Sequence, residues 1–208
     1  MPGRIAVLDY GIGNLASVAK ALVAIGANVD LVTAAINPRD YAGVVLPGVG
    51  AFGACARELR RFGFDEVVYG AIAAEIPTLG VCVGLQLLYQ GSEESPEAEG
   101  LGVFDGVVAK FSCDLPIPQM QWNRLCLTDA GFDSVLYRGI DDGAWMYFVH
   151  SYAAPLTAET SATSDYCGAF AASAERGALF GTQFHPEKSS AVGLKLLANF
   201  VEFTKSGS

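Results

Sequence analysis

The stretch Ile76-Pro77-Thr78-Leu79-Gly80-Val81-Cys82-Val83-Gly84-Leu85-Gln86-Leu87-Leu88 constrains the fold more than any other in the chain. A short apolar run of strand character meets a sharp turn between two glycines, with a cysteine at the apex, and continues with helical spacing. A turn that tight strains the apex backbone and leaves no room for bulk two residues to either side, which Gly80 and Gly84 satisfy. The pattern G-x-C-x-G follows the elbow logic of G-x-S-x-G. At a helix N-terminus Cys82 is favoured as the thiolate, and the Val83 N–H faces any oxyanion formed beside the sulfur. The same residues also suit a buried cysteine in a glycine-flanked turn.

What precedes the elbow reads as strand, helix, strand, the start of a parallel α/β sheet. Ile5 to Leu8 has strand character, Leu15 to Ile25 has helical period with Gly26 placed to end it, and Asn28 to Val32 and Gly43 to Leu46 are further strands. Gly11 and Gly13 stand as in a dinucleotide fingerprint, with Ala16 in the third glycine's place and Asp30 as the acidic partner. The alternative is a ligand-collecting loop at the end of the first strand. Pro47-Gly48-Val49-Gly50 either turns backbone amides into a cleft or is a plain tight turn. Helices are expected over Ala54 to Phe62 and Asp65 to Ala74.

Past the elbow, Gly91 to Gly100 carries Glu93, Glu94, Glu97 and Glu99 and reads as a solvated surface loop. Val107 to Phe111 is a strand, and Pro116 to Asn123 an irregular, semi-rigid segment whose Met120 and Trp122 suit a partner surface or a core. Short strands follow at Trp145 to Val149, Thr160 to Thr163, Phe170 to Ser173 and Leu179 to Thr182, then a closing helix through Val192, Leu196, Phe200 and Val201. With no linker or repeat, residues 1–208 read as one domain.

A net charge of -9 with no basic cluster argues against nucleic acid. Five cysteines without C-x-x-C pairs resemble neither a disulfide framework nor a zinc site, and point to a reducing cytoplasm. No apolar run has the length of a signal peptide or a membrane span.

A cysteine nucleophile needs a base, and the chain holds two histidines, His150 and His185. Glu187 breaks the tie. Pro186 forces extended backbone on His185, so side chains two apart can share one side, and a carboxylate there holds the imidazole's tautomer.

The elbow, the later H-P-E and the Pro-Gly loop together resemble the class I (triad) glutamine amidotransferases. Asp9 to Asn14 (D-Y-G-x-G-N), Pro47 to Phe52 (P-G-V-G-A-F), Val149 to Tyr152 (V-H-S-Y) and His185 to Ser189 (H-P-E-K-S) are similar to the glutaminase subunits of imidazole glycerol phosphate synthase. The resemblance implies an open, mostly parallel α/β sheet with helices on both faces, and additional short antiparallel strands in the C-terminal half. It implies a Cys82, His185, Glu187 triad that hydrolyses L-glutamine, an oxyanion hole from Gly48, Val49, Gly50 and Val83, and glutamine held by Gln86, Ser151 and Tyr152. It further implies no metal or organic cofactor. The ammonia would pass to a separate (β/α)₈ cyclase in a heterodimer, with Lys188 at the passage and Met120, Trp122 and Asn123 near the partner.

Two departures stand out: Gln121 replaces the glycine of M-G-W-N, and Gln119 stands where the family often has histidine. The alternatives are another amidotransferase subunit, a cysteine peptidase or γ-glutamyl hydrolase, and a non-catalytic binding subunit.

Overall fold

The computed structural model describes residues 3–12 and 15–206; Gly13 and Asn14, the end of the first glycine motif, lie outside the described residues. The N-terminal half runs β1 (Arg4–Leu8), α1 (Leu15–Ala24), β2 (Asn28–Val32), β3 (Gly43–Gly48), α2 (Phe52–Arg61), α3 (Phe64–Ala73) and β4 (Thr78–Cys82). The elbow helix α4 (Val83–Gln86) is a single turn. After it come β5 (Gly91–Ser92), β6 (Val107–Lys110), β7 (Gln119–Arg124), β8 (Cys126–Leu127), α5 (Asp129–Asp133), β9 (Trp145–His150) and β10 (Tyr152–Ala153). The chain closes with β11 (Thr160–Asp165), β12 (Ala169–Arg176), β13 (Leu179–Thr182) and α6 (Ser190–Ser206).

Eight strands form one sheet in the order β2-β1-β3-β4-β13-β12-β11-β8, parallel from β2 to β13 and antiparallel beyond. Every residue of β3 and β4 is buried, as central strands covered on both faces require. The chain moves one way along the sheet from β1 through α1 to β2, and the other way from β3 through α2 and α3 to β4. Right-handed crossovers therefore put α1 on one face and α2 with α3 on the other, and α6 packs beside α1.

Register then aligns the ends of three neighbouring strands. Gly48 lies opposite Cys82, and Val81 opposite Thr182. The carboxyl ends of β3, β4 and β13 thus face one crevice, where open sheets of this kind gather ligands.

Three expectations are corrected. Pro116 to Asn123 is not irregular throughout: Gln119–Arg124 is a strand paired antiparallel with β9, Trp122 opposite Tyr147 and Gln119 opposite His150. The pair stands apart from the main sheet, so β7 buries only Gln119 and shows no apolar alternation to read. The acidic segment is not simply solvated, because the Glu93 and Glu94 carboxylates accept backbone N–H groups of Lys110 and Phe52 at 2.8 and 2.7 Å. The cysteines are not all free: Cys113 and Cys167, 54 residues apart with Cα atoms 5.5 Å apart, are paired as a disulfide, which their sequence spacing does not signal.

Candidate active site

Cys82 ends β4 with φ 56° and ψ -110°, a left-handed region that a non-glycine residue occupies only when its surroundings impose it. What imposes it is glycine packing. A Cβ on Gly84 would sit 1.9 Å from the Leu46 carbonyl oxygen, and one on Gly80 would sit 2.7 Å from that of Gly84. The elbow can press onto β3 only because both side chains are absent. The thiol is thereby held at the mouth of the first turn of α4, whose leading N–H groups have no acceptor within the helix.

The thiol opens on a cleft of about 470 Å³ lined by Val49, Gly50, Cys82, Val83, Gln86, Glu94, Pro118, Val149, His150, Ser151, Tyr152, His185 and Lys188. His185 follows β13 in extended backbone (φ -96°, ψ 97°), as the proline after it requires. Its Nδ1 donates to Glu187 Oε1 at 2.9 Å, and both side chains are shut from solvent, at 2% and 0% exposure. That bond fixes the tautomer and leaves Nε2 for the thiol's proton. Burial works against a charged His185, but hydrogen bonding and charge from the Cys82 sulfur and the Glu187 carboxylate outweigh it and bring its pKa up to about 9. The whole H-P-E-K-S segment is latched to β9: His185 N–H donates to the Tyr147 carbonyl at 3.0 Å, and the Tyr147 N–H donates to Ser189 Oγ at 3.0 Å.

The second histidine also lines the cleft, in the opposite electrical state. Burial drives the His150 pKa down to about 4, only partly offset by Nδ1 donating to the Tyr152 carbonyl at 2.8 Å. It is neutral at pH 7 and has no carboxylate partner.

The Pro-Gly loop is anchored from beneath. Tyr10 Oη donates to the Pro47 carbonyl at 2.5 Å, and Cys55 Sγ to the Val49 carbonyl at 3.5 Å. Burial pushes the Cys55 thiol up to about 11, so it stays protonated and able to donate. In a trans peptide the N–H opposes the C=O, which turns the Gly50 amide away from α2. Val49, Gly50 and Val83 line the cleft with Cys82. Gly48 does not; it is buried in β3 opposite Cys82, where a Cβ would meet Gly84 N at 2.8 Å.

Gln86, Ser151, Tyr152 and Lys188 lie around the same cleft, with Lys188 Nζ 5.9 Å from the centre of the Tyr147 ring. Met120 and Trp122 lie outside it, 63% and 43% exposed on the β7–β9 pair. Asn123 is spent internally, donating to the Asp165 carbonyl at 2.9 Å. Glu94 was missed from the sequence as a cleft residue. It reaches the cleft from the acidic segment, and only its place shortly after the elbow separates it from its neighbouring glutamates.

The class I glutamine amidotransferase profile matches residues 6–203. A 208-residue alignment with the imidazole glycerol phosphate synthase subunit HisH of Synechococcus sp. (strain JA-3-3Ab) shows 49% identity, covering 96% of this chain and 94% of that protein. The chain belongs to the HisH family of class I glutamine amidotransferases. The HisH subunit of Deinococcus radiodurans is 44% identical over 201 residues, covering 95% of this chain and 92% of the relative. Among solved structures, PurLQS from Thermotoga maritima is similar in fold with a TM-score of 0.76 at 18% identity, covering 98% and 99% of the two chains. Among the described residues of this HisH-family amidotransferase, no helix is long and apolar enough to cross a membrane.

Proposed function

We propose that this chain is the glutaminase subunit of an imidazole glycerol phosphate synthase, which hydrolyses L-glutamine and delivers ammonia to a (β/α)₈ cyclase partner in histidine biosynthesis. The observation that carries the mechanism is the shared cleft: a strained elbow thiol facing an imidazole whose far nitrogen is bonded to a buried carboxylate. Cys82 Sγ attacks the carboxamide carbon, and the oxyanion takes donors from the Val83 N–H and the Val49-Gly50 backbone. His185 gives its Nε2 proton to the departing nitrogen as the C–N bond breaks, releasing ammonia and leaving a thioester. It then takes a proton from water, whose oxygen displaces the sulfur to give glutamate, while Glu187 holds the ring.

Substrate charge is met by position. The Glu94 carboxylate in the cleft suits the α-ammonium group of glutamine, and Gln86, Ser151 and Tyr152 line the rest of the binding wall. Ammonia leaves past Lys188 toward the face of β7 and β9, where Met120 and Trp122 meet the cyclase and Asn123 braces the strand. The reading places the enzyme in the cytoplasm, although among the described residues the Cys113–Cys167 pair is of the kind that oxidising compartments favour.

Cys82→Ala should abolish ammonia release from glutamine while the complex still makes its product from added ammonium salts. His185→Ala should cost far more than His150→Ala, by at least about a hundredfold in kcat/KM, the scale of a lost general acid–base. Glutamine turnover surviving Cys82→Ala would overturn the mechanism.

A further inference from the structure

The motif around His185 contains a second polar side chain on the same side of the chain. The chain bends at Gln183 and Phe184 just past β13, so that Gln183 and His185 both reach Cys82 while Phe184 between them packs on Phe148. Gln183 is wholly buried. Its backbone N–H donates to the Ala172 carbonyl at 2.8 Å, and Thr182 Oγ1 donates to the Phe184 carbonyl at 3.1 Å, so the segment has little freedom to rotate.

The side chain of Gln183 sits between two partners. Its Oε1 accepts from Gln86 Nε2 at 3.0 Å, and its Nε2 lies 3.9 Å from Cys82 Sγ. Either end of an amide would fit the space, so what decides the polarity is the far end of the network. Gln86 Nε2 also donates to the Tyr152 carbonyl at 2.9 Å, and a carbonyl can only accept. That places the Gln86 amino group at the junction and requires the oxygen of Gln183 there. The N–H of Gln183 is then the end left to face the sulfur. The same Tyr152 carbonyl takes the Nδ1–H of His150, which reinforces its role as the acceptor that sets the direction.

We propose that Gln183 is a further catalytic residue of this site, an oriented N–H donor to the sulfur of Cys82 that stabilises the thiolate over the thiol. A hydrogen bond to the charged form favours it, and here the donor is built into a buried network and undergoes no reorganisation as the sulfur ionises. The network has a second consequence: Gln86, which lines the glutamine cleft, holds Gln183 in place, so substrate-binding wall and nucleophile are mechanically joined. This rests on Cys82 being the nucleophile, as proposed above.

The test is the pH dependence of iodoacetamide alkylation at Cys82, followed on the Cys82 peptide by mass spectrometry in wild type, Gln183→Leu and Gln183→Glu. Gln183→Leu should slow alkylation at pH 7 by about tenfold, the scale of a lost hydrogen bond to a charged group, and displace the profile to higher pH. Gln183→Glu, which keeps the shape but puts a carboxylate against the sulfur, should displace it further. Being nearly isosteric, it carries the decision if Gln183→Leu does not fold. Profiles superimposable on wild type in the folded variants overturn the proposal. Cys82→Ser, assayed alongside for glutamine hydrolysis, separates the two readings. An active Cys82→Ser sinks the nucleophile assignment, whereas an inactive one with unmoved Gln183 profiles sinks only the role of Gln183.

Discussion

Two histidines in one cleft hold opposite charge states, and the cause is the company each keeps. His185 has a carboxylate on one nitrogen and a thiol near the other; His150 has a neutral carbonyl and aromatic neighbours, Phe111, Phe148 and Phe170. Because the chain has only these two, NMR of untagged protein should show one imidazole titrating near pH 9 and the other near pH 4, with none near the ordinary 6.5. The signs follow for stability. His185, with its folded pKa raised, contributes fully below about 6.5 and loses that contribution as pH rises through 9. His150, lowered, contributes above about 6.5 and loses it as pH falls through 4. Glu187→Gln should lower the upper midpoint, and a midpoint left near 9 would remove Glu187 from the account. The grouping of Cys82, His185 and Glu187 was legible because the chain has only two histidines, and one of them stands two residues from a glutamate. Glu94 and Gln183 were not, since one is a glutamate among four and the other acts only through a network that exists in three dimensions.

Among the elements, β4 and α4 owe their arrangement to what is missing from them. Gly84 lies against the β3 backbone, so a methyl group there meets a carbonyl oxygen that no rotamer change can move. Gly84→Ala should therefore cost about 3 kcal/mol or more, lowering the melting temperature by roughly 6–12 °C, and should abolish glutamine hydrolysis by displacing the thiol. Gly143→Ala is the matched control, with φ +81° and nothing within 4 Å. It should cost only the left-handed strain, about 1–2 kcal/mol, and spare activity. Calorimetry and a glutaminase assay on both variants decide it; equal losses would mean that packing at the elbow is looser than the contacts imply. The elbow was readable in the sequence since strand period, glycine spacing and helical period all agree there. Its helix was not readable in length: apolar spacing continues to Leu88, but α4 stops at Gln86. The strand β7 was hidden for the opposite reason, as a strand paired only with β9 carries no buried stripe.

At the scale of the whole molecule, the sheet gathers the crevice at the carboxyl ends of β3, β4 and β13, while β7 and β9 form a separate ribbon beside it. The ribbon's outward face carries Met120, Trp122 and Trp145, with Arg124 over the Trp145 ring and Lys188 over Tyr147. Its inner face buries Met146 and Phe148. Exposed tryptophans beside a cleft mouth are costly to leave in water and are typical anchors of a partner interface. Trp122 makes a suitable probe because its ring meets only the edge of Tyr147 among the aromatic contacts, so truncation leaves the core intact. Trp122→Ala should keep the melting temperature within about 2 °C of wild type, and should weaken binding to the cyclase by about 30-fold, the measure of an interface hot spot. Calorimetric titration of the two subunits measures the second quantity directly. An unchanged affinity would overturn both the proposed docking of the cyclase on β7 and the proposed ammonia route past Lys188.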